Sequence, residues 1–194
     1  MRTTHLLYLH GFRSSPDSTK ARMLASKVGR EHPGVIWCCP QLPPSPNAAM
    51  HVVYQGINHW PRESMAVIGS SLGGFYAARV SDTTGCKAVL LNPAVHPARD
   101  LRKYIGEQTT WHDPGQHFTV EPVFIDELRA LERTGLAHPG QVLGIVAKGD
   151  EVLDWREMTA HLRGAQIRLL EESNHALSDF ADHIDEVLAF LSLV

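Results

Sequence analysis

Cysteine is scarce in this chain of 194 residues: three are present, Cys38, Cys39 and Cys86. An odd count with two adjacent thiols does not describe a disulfide framework. Neighbouring strand residues point to opposite faces, so Cys38 and Cys39 are expected as structural thiols in different environments. Long apolar runs are missing, and nothing approaches the roughly 20 residues needed to cross a bilayer. The opening residues, Met1 to His5, lead into a short apolar run without the length or cleavage site of a secretion signal. A cytoplasmic location is the expectation. Charge of one sign is not in excess either, with 18 Lys and Arg against 21 Asp and Glu and a net charge of −3. That balance excludes an electrostatic case for nucleic acid or an anionic membrane as partner. Residues 69–74 are glycine-rich but lack the Lys-Ser/Thr of a P-loop and the spacing of a dinucleotide fingerprint. His112, Asp113 and His117 invite a metal reading, yet no H-E-x-x-H occurs and the spacing fits no common zinc set. Surface histidines are expected there, with no metal and no cofactor.

What is present is a regular alternation. Short apolar runs at 6–9, 35–39, 66–68, 88–91, 142–147 and 167–170 read as strands. Helical stretches separate them at 18–30, 48–60 and 72–80, within 153–162, and at 179–191. Continuous apolar strands spaced by helices indicate a parallel sheet covered on both faces. The expected fold is α/β, a three-layer α/β/α sandwich on a mostly parallel sheet of about six strands. Residues 1–194 are read as one domain, which at this size buries about 70% of its unfolded surface. The rhythm breaks between residues 93 and 140, a stretch rich in Pro, Gly and His and carrying Tyr104, Trp111, Phe118 and Phe124. A long excursion inside a compact domain is usually functional, and this one is read as a small cap with a short helix near 126–133.

The most informative motif is Gly69-Ser70-Ser71-Leu72-Gly73. It fits G-x-S-x-G and lies where an apolar strand turns into a helix, the setting of a nucleophile elbow. The alternative is a Gly/Ser turn without chemistry. A serine nucleophile needs a base to take its proton, and the base needs a carboxylate to hold its tautomer. The run 142–147 ends at Lys148-Gly149-Asp150, and the run 167–170 is followed by Glu171-Glu172-Ser173-Asn174-His175. The order Ser71, Asp150, His175 therefore falls on three strand ends that should open on one sheet edge, where open α/β sheets place ligands. Glu151 and Asp154 are rivals for the acid, Asp154 more naturally as a helix cap. Among the twelve histidines, His175 is the one directly after the final strand, in the required order.

An oxyanion hole completes the requirement. One donor is expected from the Leu72 amide, directly after the nucleophile. The other comes from His10-Gly11-Phe12-Arg13 after the first strand, where the Phe12 amide is the candidate and His10 orders the loop. Arg13 is read as exposed, with contact to an anionic substrate group as the alternative. Trp111 and Phe118 either line an acyl pocket or pack the cap on the body. The Pro40 to Pro46 run is read as a rigid connection.

With these residues in place the chain resembles an α/β-hydrolase and, more narrowly, the small bacterial YqiA-like esterase family. The matching stretches are residues 7–16, 40–44, 69–74, 91–95, 149–154 and 174–176, which span nearly the whole chain. The resemblance implies a compact hydrolase acting on short- to medium-chain acyl esters or thioesters, acyl-CoA among them, with Ser71, Asp150 and His175 as the triad. The chain departs most between 101 and 140, the segment that would set substrate choice. Other triad chemistries (lactonase, peptidase or carbon–carbon hydrolase) and a non-catalytic ligand-binding protein are the alternatives. The partner expected is a small acyl substrate, with monomer and homodimer both open.

Overall fold

The computed structural model describes residues 2–111 and 113–193. Among the described residues the strands are β1 (His5–Leu9), β2 (Ile36–Cys38), β3 (Met65–Ser70), β4 (Lys87–Leu91), β5 (Gly106–Thr109), β6 (His117–Val120), β7 (Val142–Ala147) and β8 (Gln166–Leu170). Six of them form one sheet in the order β2-β1-β3-β4-β7-β8, and every pairing in it is parallel. β5 and β6 form a separate antiparallel hairpin. The helices are α1 (Thr19–Glu31), α2 (Pro46–Gly56), α3 (Leu72–Thr84), α4 (Pro97–Asp100), α5 (Pro122–Leu131), α6 (Trp155–His161) and α7 (Ile184–Phe190).

The period-2 alternation of each strand divides the core. Leu6, Tyr8, Ala66, Ile68, Leu143 and Ile145 meet α1 and α7 on one face. Leu7, Leu9, Val67, Leu90, Val142 and Val146 meet α2, α3, α5 and α6 on the other. This is the expected three-layer sandwich. Both β3 and β7 are buried along their whole length, which is why their sequences read as unbroken apolar runs rather than alternating ones. Cys38 packs on one side of the sheet and Cys39 on the other, as strand geometry requires. Burial raises all three thiols, Cys39 to about 12, so none carries the thiolate character a nucleophile needs.

Several boundaries differ from the sequence expectation. The second helix starts at Pro46 rather than 48, because Ser45 caps it by accepting from the Ala48 amide at 3.2 Å and proline suits the first turn. It ends at Gly56, short of residue 60. The last helix begins as a 3-10 turn, Phe180–His183, before α7. Between β4 and β7 the chain forms α4, the hairpin and α5. The hairpin escaped the sequence reading because its strands, four residues each, carry only two apolar residues, Phe118 and Val120, and pair only with one another.

Candidate active site

β3 ends at Ser70 and α3 begins at Leu72, so Ser71 alone makes the turn between them. Its φ of 56° and ψ of −119° lie outside the regions open to most side chains, a conformation that costs about 1–3 kcal/mol and must be held by its surroundings. The flanking glycines explain how it is held. A Cβ on Gly69 would sit 2.1 Å from the Gly73 carbonyl oxygen, and one on Gly73 would sit 2.0 Å from that of Leu9. Only bare backbone lets strand, turn and helix approach this closely. The Ser71 amide donates to the Leu91 carbonyl at 2.9 Å, fixing the turn against the end of β4.

The other two polar groups arrive from the ends of β7 and β8. His175 Nε2 lies 3.1 Å from Ser71 Oγ, and His175 Nδ1 lies 2.7 Å from Asp150 Oδ2. The Asp150 side chain is fully buried and His175 is 21% exposed. Asp150 uses its other oxygen to accept the Val152 and Leu153 amides, each at 2.8 Å. The carboxylate is therefore oriented before it meets the ring. With Nδ1–H donated to Asp150, Nε2 is left free to accept from the serine hydroxyl. The three residues expected to converge do converge.

The acidic rivals have other parts. Asp154 caps α6, its carboxylate accepting the Arg156 amide at 2.8 Å. Glu151 accepts the His175 amide at 3.1 Å and so holds the histidine's backbone rather than its ring. Sequence reasoning missed two further supports. Asn92, fully buried at the end of β4, accepts the Ala147 amide at 2.8 Å and donates to the Asn174 and His175 carbonyls at 2.9 and 3.2 Å. One side chain thus ties the loop carrying the imidazole to the strand leading to the carboxylate. The Asn92-Pro93 pair was the available signal, marking a turn where asparagine tolerates the observed φ of 41° better than most residues. Lys20 of α1 donates to the Ala176 carbonyl at 2.5 Å, and desolvation lowers its pKa to about 8.

The loop after β1 stands beside the serine: a Cβ on Gly11 would lie 3.3 Å from the Ser71 Cβ. His10 is buried, and its Nε2 accepts the Leu42 amide at 3.0 Å. The proton then sits on Nδ1, which donates to the Gly11 carbonyl at 3.0 Å. This histidine orders the loop, as expected. Arg13 departs from its expected exposed role. It donates to the Thr109 carbonyl at 2.5 Å and the Thr109 hydroxyl at 2.9 Å, and its guanidinium lies 4.1 Å from the Trp111 ring centre. The hairpin is thereby clamped to the loop. Phe12 and Leu72, the expected amide donors, both border a cavity of about 440 Å³ that also contains Ser71 and His175. Trp111 lines it and is 69% exposed, whereas Phe118 packs edge-on against Phe12 at 5.9 Å. Of the histidines in the metal reading, His112 lies outside the described residues, and His117 pairs with Glu107 at 2.6 Å. Among the described residues no group of three His, Cys, Asp or Glu side chains is arranged to hold a metal ion. No described helix is long and apolar enough to cross a membrane.

Comparison with known proteins agrees with this architecture. The model of the uncharacterised protein family UPF0227 matches residues 5–192. A UPF0227 protein of Yersinia pseudotuberculosis is 22% identical over 190 residues, covering 97% of this chain and 99% of that one. Mouse alpha/beta hydrolase domain-containing protein 10 superimposes with a TM-score of 0.73 at 14% identity, covering 98% of this chain and 92% of its own. An esterase of Pyrococcus furiosus gives a TM-score of 0.67 at 16% identity, with coverage of 99% and 81%. The chain belongs to the UPF0227 (YqiA) family, and its fold is that of the α/β-hydrolase superfamily.

Proposed function

From membership of this family and the geometry at the sheet edge, we propose that the protein is a serine hydrolase of short- to medium-chain carboxylic esters or thioesters. The observation that carries the reading is the continuous chain Ser71 Oγ, His175 Nε2, His175 Nδ1, Asp150 Oδ2, with links of 3.1 and 2.7 Å. In this mechanism Ser71 attacks the acyl carbon while His175 takes its proton, and Asp150 stabilises the imidazolium. The oxyanion is held by the Phe12 and Leu72 amides. His175 then protonates the leaving alcohol or thiol, and after its departure activates the water that releases the acid. Phe12 and Leu72 contribute backbone only, so their side chains are free to shape the cavity. The segment between β4 and β7 acts as a cap over the site. Solved relatives of the same fold that are named as hydrolases and esterases support the reaction class.

The test is turnover of a panel of p-nitrophenyl esters, acyl-CoA thioesters, lactones and peptides by wild type and Ser71→Ala. Ester or thioester hydrolysis that disappears in the variant is the expected result. Turnover confined to lactones or peptides would move the protein to another hydrolase class. Equal ester hydrolysis by the variant would reject Ser71 as nucleophile.

A further inference from the structure

A second cavity, of about 220 Å³, is walled in part by the β1 loop, and neither Ser71 nor His175 borders it. Its walls include Gly11, Leu42, Pro43, Tyr76 and Phe118. Phe12 and Leu72 border both spaces. The Phe12 ring packs against a wall of each, 5.3 Å from Tyr104, which lines the larger cavity, and 5.9 Å from Phe118, which lines the smaller. Resting on the hydrolase reading above, we infer that the smaller cavity binds the acyl group and the larger one receives the leaving group, with the Phe12 side chain as the partition.

The assignment follows from where the proton must go. In acylation the Ser71 Oγ–carbon bond forms and the bond from carbon to the leaving oxygen or sulfur breaks. The serine proton passes through His175 Nε2 to that departing atom. The leaving group must therefore stand on the His175 side, and His175, like Ser71 itself, borders the larger cavity and not the smaller, which comes nearest to the serine at Gly11 and Leu72. With the acyl oxygen held by the Phe12 and Leu72 amides, the remaining substituent on the acyl carbon points away from the imidazole, toward Gly11. Glycine leaves that direction open, since a Cβ there would stand 3.8 Å from Ser71 Oγ. The smaller space falls below the roughly 300–1,000 Å³ of sites that enclose a drug-sized ligand. Leu42, Pro43, Pro44, Leu72 and Phe118 give it an apolar wall, beside the polar His10 and Arg13. It fits a short acyl chain. The larger space, open beside the exposed Trp111 and bordered by Lys103 and Asp100, suits a bulkier and more polar alcohol or thiol.

Burst kinetics separate the two assignments, because deacylation proceeds after the leaving group has gone. The experiment uses p-nitrophenyl esters of increasing linear acyl length, and one short acyl group on leaving groups of increasing size. Phe118→Ala, with Phe118→Leu as a milder variant, should raise the long-to-short acyl ratio of kcat/KM about tenfold per methylene accommodated and alter deacylation. Trp111→Ala should change discrimination among leaving groups while each deacylation constant stays as in wild type. Ratios within one protein cancel any loss of folded material. The opposite pattern, with deacylation following Trp111 and indifferent to Phe118, would overturn the assignment while leaving the hydrolase intact. Absence of any acyl-enzyme, with Ser71 inert to a fluorophosphonate, would remove the hydrolase reading itself and this one with it.

Discussion

Asp150 and Glu151 are adjacent acids with separate tasks, and substitution should tell them apart. Asp150 grips the imidazole and takes two amides on its second oxygen, while Glu151 accepts from the His175 backbone amide. Asp150→Asn presents the wrong partner to Nδ1 and favours the wrong tautomer. Ester hydrolysis should fall by about 10⁴ in kcat, whereas Glu151→Gln, which can still accept the amide, should stay within about tenfold, a gap of roughly 4 kcal/mol in barrier. Steady-state assays of the two variants check this. Asn92 supplies a second residue-scale prediction. Asn92→Ala strands the buried Ala147 amide at the end of β7 and removes the donor to two carbonyls of the His175 loop, at about 1–3 kcal/mol for an unsatisfied buried group. Denaturant titration should show a loss of about 2–4 kcal/mol, and kcat should fall more than KM rises because the imidazole loses its anchor. The triad was legible in the sequence because each member follows an apolar strand in a fixed order. Asn92 was not, because its partners Ala147, Asn174 and His175 adjoin it only once β4, β7 and β8 are laid side by side.

At the scale of elements, the contacts that fasten helices to one another carry their own tests. Glu127 of α5 accepts from the Ser45 hydroxyl at 2.8 Å and from the Asn47 amide at 3.1 Å, placing a carboxylate at the N-terminus of α2. Capping and the helix dipole both favour it there. Glu127→Ala should cost about 1 kcal/mol, read as a shift in denaturant midpoint. Lys20 fastens α1 to the loop of His175, and its sign is the reverse of a stabilising ion pair. Burial depresses its folded pKa to about 8 from 10.5, so between those values the unfolded chain binds the extra proton. Stability from this group is least below pH 8 and rises as the pH climbs toward 10.5. Lys20→Met should remove that rise: melting temperatures measured across the window should show wild type gaining on the variant as pH increases. The β5–β6 hairpin marks where element-level reading failed. Of its strand residues Val120 alone is buried, so hydrophobic periodicity had little to report. It is held instead by Arg13 and the packing of Phe118 on Phe12.

Across the whole molecule, the sheet acts as a device for bringing distant chain segments to one edge. Ser71 and His175 are 104 residues apart in sequence and 3.1 Å apart in space. The parallel order β1-β3-β4-β7-β8 puts the loop after β1 and the ends of β3, β7 and β8 on the same side, each contributing one part of the site. That much was readable because strand spacing alone dictates a parallel sheet, and a parallel sheet dictates where its strand ends lie. The division of the space beside Ser71 was not readable. It depends on the Phe12 ring sitting between Tyr104 and Phe118, three residues that no sequence period relates.

The central claim is that Ser71 is a nucleophile activated through His175. The most direct measurement is intact and peptide mass spectrometry of wild type, Ser71→Ala and His175→Ala after exposure to a fluorophosphonate. The account predicts a single adduct on the peptide holding Ser71, none in Ser71→Ala, and much slower labelling in His175→Ala. An adduct on another residue, or equal labelling of wild type and Ser71→Ala, would contradict it.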